Sequence, residues 1–99
     1  MITNYMIIGY GWRADFYYRI AKLLPERFSV CAGVLRTEER AKEVAHKEGV
    51  FATSDLDQAL ERKPDFAVLC VPRDVTKDYL VKLMKKGIPV LCETPPGKN

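Results

Sequence analysis

The chain has 99 residues, 47% hydrophobic and 29% charged, with a formal net charge of +3. That suits one folded domain with a single core and excludes a disordered segment. Its lysines and arginines are scattered rather than clustered, and no apolar run reaches membrane-spanning length. Neither nucleic acid nor a membrane is therefore expected as a partner, and with no leader-like N-terminal pattern the expected setting is cytoplasmic.

The first predicted strand, Asn4 to Ile8, is almost continuously apolar, as in a strand covered on both faces. It leads into Gly9-Tyr10-Gly11-Trp12-Arg13-Ala14, a Gly-x-Gly-x-x-Ala turn. A helix follows from Arg13 to Leu24, with Phe16, Ile20 and Leu23 as its expected inner stripe, widened by Tyr17 and Leu24. Pro25 ends it. Phe28 to Leu35 is a second strand. Thr37 is placed to cap the next helix, with Glu38 and Glu39 in its first turn and Gly49 at its C-terminal end. Val50 to Ala52 forms a short third strand, and a short helix from Ser54 reaches to about Arg62. Phe66 to Val71 is the fourth strand, broken by Pro72. The helix from Asp74 to Lys86 has Val75, Tyr79, Leu80, Leu83 and Met84 as its inner stripe, and Gly87 ends it before a fifth strand, Ile88 to Cys92. Cys31, Cys70 and Cys92 show no metal-ligand spacing and read as small buried hydrophobes. His46 reads as a surface residue.

Strand and helix alternating throughout imply an α/β fold over residues 1–99, a Rossmann-like doubly wound parallel sheet of about five strands in the order 3-2-1-4-5. Ligands of such sheets bind beyond the carboxyl ends of the strands, where strands one and four diverge. Gly9 to Ala14, Leu35 to Thr37, Val71 to Asp74 and Cys92 to Pro95 all fall at that edge. Gly9 makes the sharp turn, Gly11 admits a pyrophosphate to bare backbone, and Ala14 keeps the helix close to the sheet, with Tyr10 inside the turn. Arg13 is placed to pair with the pyrophosphate. Trp12 either shields it or packs against another domain. After strand two there is no carboxylate at Leu35. Arg36 suits a 2′-phosphate and Thr37 can add a hydrogen bond, so NADP is preferred over NAD. The simpler alternative makes Arg36 a solvated residue and Thr37 only a helix cap. Val71, Pro72, Arg73, Glu93 and Thr94 complete the expected cofactor edge.

Met6 to Gly11, Glu39-Arg40-Ala41, Thr53 to Asp57, Asp65 to Pro72 and Gly87 to Pro95 together resemble the N-terminal half of the Gfo/Idh/MocA oxidoreductases, the glucose–fructose oxidoreductase and inositol dehydrogenase family. The resemblance implies a Rossmann domain followed by a larger α/β domain that holds the substrate and often the dimer interface. It also implies NAD- or NADP-dependent chemistry on sugars, inositols and related hydroxyl compounds. The family's Glu-Lys-Pro signature is Glu93-Thr94-Pro95 here, so Thr94 stands where the family has a lysine that helps proton transfer. Thr76 stands where it often has a histidine. The expectation is a chain truncated before the last Rossmann strand and the substrate domain. It would bind dinucleotide without catalytic residues of its own, and meet a small-molecule substrate only if that domain is present. Its fifth strand would be an open edge through which it forms a homo-oligomer. The alternative is a non-catalytic NAD(P)-binding, sensing or assembly module.

Overall fold

In the computed structural model residues 2–92 are described, Arg73 and Asp74 by their backbone only. The elements run β1 (Thr3–Gly9), α1 (Trp12–Leu23), β2 (Phe28–Val34), α2 (Glu38–Glu48), β3 (Ala52–Thr53), α3 (Leu56–Leu60), β4 (Phe66–Cys70), α4 (Arg73–Lys85) and β5 (Val90–Cys92). The strands form one parallel sheet in the order β3-β2-β1-β4-β5. Alternation along β1 splits the core into two layers. Tyr5 and Ile7 pack with α1 and α2 through Ala14, Tyr18, Ala41 and Val44. Met6 and Ile8 pack on the other face with α3 and α4 through Ala59 and Leu83.

Local signals place most boundaries. The Thr37 hydroxyl accepts from the Arg40 N–H at 3.1 Å and caps α2, which Gly49 closes. The Asp55 carboxylate accepts from the Asp57 N–H at 2.9 Å and caps α3. Most strand ends lie within one residue of expectation, and two strands start two residues later than expected. β3 lies one to two residues later, because β2 pairs with Ala52 and Thr53. Ile88 belongs to the turn closing α4, its N–H bonded to the Leu83 carbonyl, so β5 begins at Val90.

The inner face of α1 also differs. Phe16 and Leu23 are 50% and 70% exposed, and the buried residues are Ala14 and Tyr18, with Tyr17 and Ala21 packed beside them. The glycine turn delivers Ala14 against the sheet, and this sets the rotational phase of the helix. Phe16 and Leu23 then fall outward. On α4, Leu83 is buried while Met84 points to solvent. Cys92 is exposed and Cys31 and Cys70 are half-buried, so the cysteines are less enclosed than expected. His46 is exposed.

One buried polar contact locks the two helices of the first layer together. The Glu48 carboxylate is 2% exposed and accepts from the Lys22 ammonium at 2.7 Å, joining α2 to α1. Nearby, among the described residues, the Tyr18 hydroxyl is buried without a hydrogen-bond partner. It occupies the place where a side chain on Gly33 would begin.

Tyr18→Phe is expected to raise unfolding stability by about 1 kcal/mol, because it removes a desolvated, unpaired hydroxyl. Gly33→Ala should cost about 1–3 kcal/mol by overpacking. That cost should shrink in the Tyr18→Phe background, where the nearest remaining ring atom is 3.7 Å away. Denaturant midpoints of the two single variants and the double variant check this.

Candidate functional site

The turn after β1 is shaped by two absent side chains. A β-carbon on Gly9 would overlap the Cys70 carbonyl oxygen and stand 2.8 Å from its carbon and 2.9 Å from Val71 Cγ1. Gly9 also has φ +102, a conformation other residues resist. Gly11 has φ +130, yet nothing lies within 4 Å of its would-be β-carbon. The space beside it is open, at the first turn of a helix that no side chain caps. The N–H groups of the first turn and the positive end of the helix dipole lie at that space, which suits an anion. The one acidic side chain in that first turn, Asp15, is paired with Arg19 at 3.0 Å.

Tyr10 fastens the turn to α2. Its hydroxyl accepts from Lys47 Nζ at 2.7 Å and donates to Glu48 Oε2 at 3.4 Å, while the Lys47 ammonium also lies 5.3 Å from the ring centre. The Tyr10 hydrogen bond raises the Lys47 pKa above its ordinary value. Trp12 is 62% exposed, with the Arg13 guanidinium 4.9 Å from its ring centre.

Beyond the carboxyl ends of β1, β2 and β4 lies a cavity of about 550 Å³. Of the residues expected at the site, it gathers Gly9, Tyr10, Arg36, Thr37, Val71 and Pro72. Gly11 to Ala14 form the adjacent turn but do not line the cavity. The Arg73 side chain, Glu93 and Thr94 lie outside the described residues. Six lining residues had no place in the expected site: Val34, Arg40, Ser54, Cys70, Val75 and Tyr79. Arg40 follows Thr37 by three positions, a spacing that puts both on one side of the α2 entrance. Tyr79 and Val75 carried only the signature of a helix core.

The described lining includes two arginines and no acidic residue. Arg40 stands 3.9 Å from the Glu43 carboxylate, a loose and exposed pair. Glu38, at the start of α2, is turned toward Ser54. Its Oε2 accepts from the Ser54 N–H at 2.9 Å and from the Ser54 hydroxyl. The Thr76 hydroxyl donates to the Pro72 carbonyl at 3.1 Å, so it is engaged with its own helix start.

A larger hollow of about 700 Å³ lies between α3 and α4 and shares Ser54, Val75 and Tyr79 with the first. Asp55, Asp57 and Asp78 line it together with Lys82, Lys85 and Lys86, and no glycine is among its lining residues. The helix N-terminus at it, that of the five-residue α3, is already capped by Asp55. The chemistry therefore belongs to the smaller cavity. Among the described residues no group of three or more His, Cys, Asp or Glu is placed to hold a metal ion, and no helix is long and apolar enough to cross a membrane.

A five-stranded parallel sheet in this order, with a glycine turn at its switch point, defines a Rossmann-fold domain of the dinucleotide-binding class. The family model described as "Oxidoreductase family, NAD-binding Rossmann fold" (GFO_IDH_MocA) matches residues 3–98, and the chain belongs to that family. Among solved structures it is similar to the UDP-N-acetylglucosamine 3-dehydrogenase GnnA of Acidithiobacillus ferrooxidans, at 21% identity and TM-score 0.80, covering 96% of this chain and 30% of that one. It is also similar to an oxidoreductase of Thermotoga maritima, at 25% identity and TM-score 0.78, covering 93% and 29%. A levoglucosan dehydrogenase solved with NADH and levoglucosan matches at 16% identity and TM-score 0.80, covering 93% and 27%. The chain thus spans under a third of the length of these solved proteins. No curated protein matches it.

The two glycines should separate on substitution. Gly11→Ala is expected to fold, losing about 1–2 kcal/mol to backbone strain, and to weaken dinucleotide binding at least about tenfold by blocking the pyrophosphate approach. Gly9→Ala should lose the fold itself. Circular dichroism and calorimetric titration of both variants distinguish these outcomes.

Proposed function

We propose that this chain is the cofactor-binding half of an NADP-dependent oxidoreductase acting on sugar- or inositol-like hydroxyl compounds, and that by itself it binds dinucleotide without turnover. One observation carries the choice of cofactor. The described rim of the cavity offers the guanidinium groups of Arg36 and Arg40 and the Thr37 residue, with no carboxylate to hold a ribose diol. A 2′-phosphate dianion is matched by such a pair, whose planar donors can each bind two of its oxygens.

In this reading the backbone of Gly9 to Ala14 takes the pyrophosphate, with Arg13 beside it and Tyr10 holding the turn against α2. Arg36, Thr37 and Arg40 take the 2′-phosphate. Val71, Pro72 and Tyr79 form the apolar wall for the adenine. The Arg73 side chain, Glu93 and Thr94, outside the described residues, are assigned from the sequence to the rest of the cofactor edge. The cofactor, when bound, supplies hydride transfer; this chain binds and orients it. Thr94 has no side-chain group to shuttle a proton near neutral pH, which favours binding without chemistry. It also supports a second reading, a domain that senses dinucleotide for a partner. The carbohydrate class is suggested by the GnnA and levoglucosan dehydrogenase neighbours. NADH accompanies the latter. At 16% identity that neighbour carries the fold, and the choice of cofactor is read from the rim residues of this chain.

Calorimetric titration of the chain with NADP and NAD tests the reading. NADP should bind at least about tenfold more tightly, and Arg36→Ala or Arg40→Ala should each cost about tenfold for NADP while leaving NAD nearly unchanged. Tighter binding of NAD overturns it.

We also propose that the chain self-associates through β5. Leu91 is 44% exposed there, and no described strand lies beyond β5. Light scattering should show a mass that rises with concentration. A constant monomer mass would refute this.

A further inference from the structure

We propose that Ser54 is a specificity-positioning residue. By holding the Glu38 carboxylate against the turn between β3 and α3, it keeps a negative charge away from the Arg36–Thr37–Arg40 rim. The inference rests on the reading of that rim as a 2′-phosphate site.

Glu38 is the first residue of α2, two positions after Arg36 and two before Arg40. Left free, a carboxylate there would oppose a phosphate dianion or pair with one of the two arginines and take it out of service. In the structure neither occurs. One carboxylate oxygen receives both the Ser54 N–H, at 2.9 Å, and the Ser54 hydroxyl, and Glu38 does not line the cavity. The same two hydrogen bonds hold its pKa below the ordinary value, so it stays charged through neutral pH. Lys42, four residues further along α2, adds a favourable charge.

The clip is built on rigid backbone. The Leu35 N–H bonds the Thr53 carbonyl at 2.9 Å, tying the end of β2 to the residue before Ser54. On the other side, the Asp55 N–H donates to the Thr53 hydroxyl at 3.0 Å, and that hydroxyl donates to Gln58 at 2.8 Å. The direction of the Ser54 N–H is thus set by the sheet and by the start of α3. Ser54 itself lines the cavity. It therefore presents a neutral side chain to the ligand, while the carboxylate it holds is not part of the cavity lining.

The test compares unmodified chain, Ser54→Ala, Glu38→Gln and the double variant, each titrated with NADP and with NAD in low salt. Ser54→Ala removes the hydroxyl and keeps the backbone N–H, so it loosens the clip. It should weaken NADP by up to about fivefold, the effect of one fully released carboxylate on a dianion at roughly 8 Å in near-aqueous surroundings. NAD should change by less than about twofold, and the NADP effect should fade in high salt. Adding Glu38→Gln to Ser54→Ala should restore NADP affinity to within about twofold of the unmodified chain, and Glu38→Gln alone should leave it equal or better. Equal weakening of both cofactors by Ser54→Ala would mean that Ser54 only supports the fold. Failure of Glu38→Gln to restore NADP, or a loss of NADP affinity from Glu38→Gln alone, would overturn the inference equally. The unmodified chain reports separately on the rim itself: preference for NAD there removes the reading beneath this one, whatever the variants do.

Discussion

The Cys70 carbonyl lies where a side chain on residue 9 would have to begin, and the site depends on that contact. β1 and β4 pair in parallel to their last residues, Gly9 against Cys70. The chain then leaves both strands in different directions, one toward α1 and the other toward α4. A side chain on residue 9 would force the strands apart where the crevice between them begins. With hydrogen there, β1 turns immediately, Ala14 reaches the sheet, and α1 starts with its uncapped N-terminus beside the open space at Gly11. Anion site, helix phase and cavity wall follow from one close approach.

Electrostatics then distinguishes one part of the rim from another. Near the turn the charges are paired: Asp15 with Arg19, and Glu48 with Lys22 beneath Tyr10. At the entrance of α2, Arg36 and Arg40 line the cavity, and Glu38, one of the two carboxylates between them in sequence, is held by Ser54. Carboxylates outnumber arginines in the stretch from Arg36 to Glu43. It is their orientation, and not the local composition, that leaves a basic rim.

Much of the architecture was legible because it rests on short-range physics. Alternating strands and helices, the Thr37 cap, the closing Gly49 and the Gly-x-Gly-x-x-Ala turn each depend on residues within a few positions of one another. The strand order followed from the handedness of the crossovers and the glycine turn. The inner face of α1 did not follow. Phe16 and Leu23 have the spacing and the hydrophobicity of a buried stripe, but the turn fixed the helix by Ala14, and the smaller residue took the core. Tyr79 packs against the core as its helical spacing indicates, but that spacing did not show that it borders the cavity as well.

What the sequence by itself determined is the order of elements, the parallel sheet, the pyrophosphate-type turn and the family, because these are encoded in local periodicity and in motifs whose parts are adjacent. What only the tertiary structure decided is which side chains share the rim. Arg40 and Ser54 come from different elements, and Glu38 meets Ser54 across 16 positions of chain. Tyr10 meets Lys47 across 37. No local pattern specifies such partners. They exist because β2 and β3 pair in one register and α2 packs on those two strands, and both depend on the whole core having formed.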